Sequence, residues 1–266
     1  MSSRLARHAW VLVLVLGVAL FVLDERTMVA TQNPNFVPSA ILLGASVVPL
    51  GFVTFIKGRR LPYTVSGGLL AVAAFLGGVL GTIVAGTLEY DVKRALGGLP
   101  MLGVAVIEES AKLLVPLALF LVMRRRLGTA DGLLLGVACG AGFAALETMG
   151  YGFVSLLTSR GGITETVDLL MLRGLMSPAG HMAWTGLTAA ALFAIGRRRH
   201  AVRWFVLTFV LAVVLHTLWD SLGGVLSYLV LAVVSLGALT YTAHRIARDA
   251  ARPGDPAHPE PVARTV

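Results

Sequence analysis

Eight stretches of this chain are apolar enough for a lipid bilayer, and that pattern narrows the possible folds more than any other feature. They lie at roughly 9–23, 36–56, 65–88, 99–122, 130–157, 174–196, 203–220 and 222–243. About 20 helical residues cross the hydrocarbon core. In lipid each backbone N–H and C=O must find its partner within the protein, so runs of this length are helices. Composition agrees: 56% of residues are hydrophobic, mean hydropathy is +0.82 and 14% are charged, against about 25% charged in soluble domains. The expected fold is all-α, a polytopic membrane helix bundle of about eight spans. It forms one domain over residues 1–245, with a disordered tail at 246–266. That tail is rich in proline and too poor in apolar surface to fold.

The turns set the topology. Basic clusters occur at Arg4/Arg7, Lys57 to Arg60, Arg124 to Arg126, Arg197 to Arg199 and Arg245/Arg248/Arg252, on every second side of the bilayer. The alternate loops, such as Asp24-Glu25-Arg26 and Glu89 to Arg94, are mixed or sparse in charge. The positive-inside rule then puts both termini in the cytoplasm, with an even number of spans. The net charge of +8 is therefore a topology signal and not a nucleic-acid signal. The first apolar run has a signal-like n-region, but Asp24-Glu25-Arg26 follows it in place of a small-x-small cleavage site, so it reads as a retained anchor. Cys139, the single cysteine, cannot pair internally and reads as a small core residue. Glycines at four-residue spacing, Gly132/Gly136/Gly140 and Gly77/Gly81, predict faces where helix backbones approach closely. Before the sixth span, Ser177-Pro178 reads as a helix start, preceded either by a separate interfacial helix or by the first half of a kinked one.

Five side chains stand out because they do not belong in lipid: Glu108, Glu109, Glu147, His181 and His216, accompanied by Lys112 and Asp220. A charged group at bilayer depth costs about 2.5–3.5 kcal/mol on insertion scales, so such groups usually face a polar interior. At about 1.5 Å per residue, all five fall about 6–15 Å from the outer ends of four successive spans. Glu108 and Lys112 are one turn apart and can pair, which leaves Glu109 turned about 100° away and free to face a site. Phe143 and Glu147 are also one turn apart, as are His216 and Asp220. In the last pair the carboxylate can fix which imidazole nitrogen is presented.

These residue types limit the chemistry. No serine lies next to a convincing base, and no glycine-rich phosphate loop is present. Two histidines and a carboxylate are a normal ligand set for a catalytic zinc. Such a metal acidifies water, and a further carboxylate can take the proton. A metal-free version has a glutamate activate water while histidine and Asp220 stabilise the oxyanion. A proton- or ion-coupled transporter is the rival from another class, since buried Glu, His and Asp also make proton relays. No repeat relates the two halves, and the polar layer is off-centre, which speaks against the transporter.

The motifs also carry a resemblance. Glu108-Glu109-Ser110-Ala111-Lys112 reads Glu-Glu-x-x-Lys and Phe143 to Glu147 reads Phe-x-x-x-Glu. Gly180-His181 follows Ser177-Pro178, and His216 to Asp220 reads His-x-x-x-Asp. In this order across successive spans they resemble the PrsW family of intramembrane metalloproteases, which is distantly similar to the CAAX prenyl endopeptidases. The resemblance covers about residues 99–220. It implies a multi-pass protease of the bacterial plasma membrane that cuts a membrane-anchored, anti-sigma-factor-like protein in the outer half of the bilayer. It implies a divalent metal, with zinc expected. Within that resemblance, Glu147, His181 and His216 are the expected ligands. Glu109 is the expected base because Lys112 can occupy Glu108, and Asp220 orients His216.

Overall fold

The computed structural model describes residues 3–251, and all its regular structure is helical. Ten α-helices follow one another: α1 (Ser3–Thr31), α2 (Val37–Lys57), α3 (Gly67–Leu96), α4 (Met101–Lys112), α5 (Leu114–Met123), α6 (Thr129–Thr158), α7 (Ile163–Met176), α8 (His181–Phe193), α9 (Ala201–Ser221) and α10 (Val225–Ala250). Six of them, α1, α2, α3, α6, α9 and α10, are long and apolar enough to cross a membrane. The other two expected spans take a different form. The run at 99–122 breaks after Lys112 into α4 and α5. Pro116 explains the break, because it has no N–H for the Lys112 carbonyl and its ring crowds that carbonyl. The run at 174–196 is divided among the end of α7, a 3-10 turn at Ser177–Ala179 and α8. Of the two readings of that region, separate helices are therefore the one observed.

Several expected ends move outward. Asp24-Glu25-Arg26 lies inside α1, with Asp24 accepting a 2.8 Å hydrogen bond from the Ser39 hydroxyl. Glu89 to Arg94 continues α3, which stops at Gly97 in the left-handed conformation (φ 73°). The last helix runs to Ala250 and takes in the first residues of the expected tail. The remainder of that tail, 252–266, lies outside the described residues.

α6 is the central helix, packed most extensively against α8 and α3. Small residues make this possible. A Cβ at Gly132 would sit 2.7 Å from Ala189 O, and those at Gly136 and Gly140 would collide with the carbonyls of Thr185 and His181. On the other side, a Cβ at Gly77 would come 2.7 Å from Cys139 Cβ. Cys139 itself is buried, with its thiol 3.3 Å from Ala73 O. Every residue of α8 after His181 is buried, so protein surrounds this short helix. α1, by contrast, packs mainly on α2 and exposes most of its apolar surface.

The basic loops gather on one another. Asp131, at the start of α6, accepts from Thr64 N, Val65 N and Gly128 N at 2.6, 2.8 and 2.9 Å, and from the Thr64 hydroxyl at 2.7 Å. Arg197 donates to the Arg124 carbonyl, and Arg198 pairs with Asp249 at 2.5 Å. The turns carrying Lys57 to Arg60, Arg124 to Arg126 and Arg197 to Arg199 thus lie together at one end of the bundle.

Candidate active site

All seven polar residues singled out from the sequence meet in one network, although α4, α6, α8 and α9 supply them from distant parts of the chain. Lys112, fully buried at the end of α4, is the hub. Its Nζ lies 3.0 Å from Glu108 Oε2, 2.7 Å from Glu109 Oε1 and 2.7 Å from His181 Nδ1. An ammonium has three N–H donors, and here each has an acceptor. Lys112 Nζ also sits 4.3 Å from the centre of the Phe143 ring, and that ring packs on His181 with centroids 5.3 Å apart. The phenylalanine of Phe-x-x-x-Glu therefore supports both the lysine and the histidine, while Glu147, one turn on, reaches His181 itself.

His181 opens α8 and uses both ring nitrogens. Nδ1 accepts from Lys112, so Nε2 carries the hydrogen, and it lies 2.9 Å from Glu147 Oε2. Arg173 of α7 brings Nη2 to 2.9 Å from the same oxygen. The Arg173 contact is close enough for ion pairing, and the neutral His181 ring lies equally close, yet neither N–H points along the line of a hydrogen bond. His216 of α9 is held from several sides. Nδ1 lies 2.9 Å from Glu109 Oε1, while Nε2 lies 3.2 Å from Asp220 Oδ2 and 3.6 Å from Glu108 Oε2. Its ring stacks on Trp184 at 5.0 Å, and the Trp184 indole donates to Ser235 Oγ at 2.9 Å.

One expectation needs correction. Lys112 does not pair with Glu108 alone and leave Glu109 free. Its flexible stem reaches the carboxylates at both i−3 and i−4, and Glu109, only 2% exposed, is held between Lys112 and His216. Glu147 is brought to His181 as expected, but it pairs with Arg173 there. The three residues whose donor atoms all lie within 4.8 Å of one another are Glu108, His181 and His216. Arg173 and Trp184 are the site residues that sequence reasoning missed. Arg173 was visible only as one charge in a mixed segment, and Trp184 lies three residues after His181 with no polar pattern to mark it.

A cavity of about 440 Å³ opens beside His181. Tyr151 of α6, Leu172 and Arg173 of α7, Trp184 of α8 and Trp219 of α9 form much of its wall. The Arg173 guanidinium lies over the Tyr151 ring at 4.0 Å. The cavity is thus largely apolar and aromatic, with Asp168, Arg173 and His181 also in its lining.

A family model described as PrsW family intramembrane metalloprotease matches residues 66–243. The chain belongs to the PrsW family. No curated protein and no solved structure gives a significant match. The matched region holds all seven network residues, and it extends beyond the 99–220 stretch that carries the motifs. Membership in the PrsW family makes this a membrane-embedded peptidase and implies a metal and a protein substrate in the membrane. A transporter is not favoured. The donors fit the metal that the family implies, since two imidazoles and a carboxylate suit zinc and similar ions. His216 also has the outer contact common to metal-binding histidines, one ring nitrogen on a carboxylate, here Glu109, while the other lies 3.2 Å from Asp220 and 3.6 Å from Glu108.

Proposed function

We propose that this chain hydrolyses peptide bonds of membrane-anchored protein substrates at the floor of the cavity. One observation carries the reading: charged groups from four helices converge beside a largely apolar cavity in a PrsW-family chain. We assign Glu108, His181 and His216 as metal donors, with zinc as the ion suited to them. When bound, such an ion polarises a carbonyl and acidifies water. Glu109 accepts from His216 Nδ1–H and keeps the ring in one tautomer, which leaves the Nε2 lone pair as the donor; Asp220, 3.2 Å from Nε2, adds negative charge beside it. Glu147, and not the more enclosed Glu109, is our choice of base. It is partly exposed beside the cavity, and its hold on His181 and Arg173 is poorly directed. Its carboxylate takes a proton from the attacking water as the C–O bond forms. It then gives that proton to the leaving nitrogen as the C–N bond breaks.

The tied basic loops support a cytoplasmic face at that end. Both termini then lie in the cytoplasm of a bacterial plasma membrane, with α4 and α5 together and α8 completing eight crossings. The site then sits in the outer half of the bilayer, where an anti-sigma-factor-like substrate would be cut. A substrate helix must unwind there, because its own hydrogen bonds shield the scissile carbonyl. Residues weak in helix formation near its outer boundary should therefore speed cleavage. The test is a membrane-anchored reporter in liposomes, cut by the wild type but not by Glu147→Gln or His216→Ala. Undiminished cleavage by both variants would sink the assignment. An ion gradient across the same liposomes that the protein dissipates would instead revive the transporter.

A further inference from the structure

We propose that Lys112 is an internal cation of the Glu/His cluster and that a divalent metal binds by exchange with its ammonium. The inference rests on the metalloprotease reading and concerns how the metal gets in. Two of the three donor residues, Glu108 and His181, already face Lys112 Nζ at 3.0 and 2.7 Å. The contact at His181 decides the matter. An imidazole nitrogen that accepts a hydrogen bond has one lone pair, in the ring plane, and it cannot serve an N–H and a metal at once. The other nitrogen, Nε2, offers no free alternative, because it carries the hydrogen and faces Glu147 at 2.9 Å. The metal and the Lys112 contact at Nδ1 are therefore mutually exclusive.

The paired glutamates make the exchange feasible. Glu109 stands outside the donor group and lies 2.7 Å from Lys112 Nζ, so the ammonium keeps a carboxylate partner after it leaves Glu108 and His181. Lysine is suited to the role because its charge sits on a flexible four-carbon stem with freely rotating donors. An ammonium fully buried in this way would be costly if it lost every partner at once. On this view Glu108 is the partner that Lys112 releases and Glu109 the one it retains. Removing the amine should then tighten metal binding, because the ion no longer has to displace charge-assisted hydrogen bonds.

The test measures affinity and not catalysis. Zinc dissociation constants are determined for the full-length protein in detergent, by chelator competition, for the wild type, Lys112→Met, Lys112→Gln and His216→Ala. Both lysine variants should bind zinc about ten- to a hundredfold more tightly than the wild type, and His216→Ala should bind far more weakly. Where a lysine variant does not fold, the wild type supplies the answer by another route. The chain has three lysines, Lys57, Lys93 and Lys112, so ¹⁵Nζ-lysine spectra are simple to assign. Zinc should move the Lys112 resonance and leave the other two in place. If zinc binds the wild type without moving that resonance, or binds the lysine variants no more tightly, the exchange is refuted and the metal site stands. If neither the wild type nor any variant binds zinc, the metal assignment and the exchange both fall.

Discussion

Asp131 and the Glu108/Glu109 pair are both buried carboxylate sites, yet they are satisfied in opposite ways. Asp131, fully buried at the start of α6, accepts three backbone N–H groups and one hydroxyl. Those backbone donors are fixed by the path of the chain and cannot be exchanged without unfolding the loop. Glu108 and Glu109 instead meet a lysine and a histidine, both on side chains, in a cluster that borders a cavity. Partners of that kind can be traded. The contrast separates a carboxylate that holds the fold from carboxylates that are available for chemistry, although burial alone does not tell them apart.

The sharpest way to break the comparison is to remove a charge from each region. Glu147→Gln keeps the shape of the side chain but removes the proton acceptor, and should lower kcat by about 10²–10⁴-fold. Its unfolding midpoint in detergent should stay close to that of the wild type. Asp131→Ala should do the reverse. Each buried donor left without a partner costs about 1–3 kcal/mol, so the loss should be about 3 kcal/mol or more. Cleavage per folded molecule should be unchanged. If Asp131→Ala slows the chemistry of molecules shown to be folded, the latch reaches the active site and the division is wrong.

The two regions were not equally legible in the sequence. The active-site residues stand out because Glu and His inside apolar runs are anomalous, and spacing on helices says which of them share a face. Partner choice is less legible, since it depends on reach in three dimensions. The 100° between Glu108 and Glu109 is real, but a lysine three and four residues on spans it. Arg173 was unreadable for a related reason: α7 is a short helix of mixed polar and apolar sequence, where a charge attracts no notice. Asp131 lay in plain view as an acidic residue in the first turn of a helix, where such residues are ordinary. Nothing local shows that three of its four donors come from a loop more than sixty residues earlier. The long helices were legible from hydropathy, whereas the α4–α5 break required weighing Pro116 against an otherwise continuous apolar run.

A smaller effect is expected where the two roles overlap. Gly140 serves the fold, yet the atom that its Cβ would strike is the carbonyl of His181. Gly140→Ala should cost about 1–3 kcal/mol through overpacking. It should also slow cleavage by about 10²-fold, because it shifts a residue of the site by a fraction of an ångström to an ångström. Gly150 on the same helix is the control, since a Cβ there meets nothing within 4 Å. Gly150→Ala should leave both stability and cleavage near wild type. Equal effects from the two alanines would mean that helix propensity, and not the α6–α8 approach, sets the outcome.

The smallest expected effect concerns Ser235, which touches no charged residue of the network. Its hydroxyl accepts the Trp184 indole N–H, and Trp184 in turn lies flat against the His216 ring. Ser235→Ala leaves a buried indole N–H without a partner, at a cost of about 1 kcal/mol or somewhat more. The loosened indole should let His216 sample other orientations, lowering kcat by less than about tenfold. Ser235→Thr, which restores the hydroxyl, should recover the rate. Zinc affinity should fall slightly in Ser235→Ala and return with threonine, a readout that general loss of packing in α10 would not reproduce. If the rate falls without any change in zinc affinity, Trp184 shapes the cavity wall for substrate and does not position His216. The boundary between fold and chemistry would then run between Trp184 and His216 and not between Ser235 and Trp184.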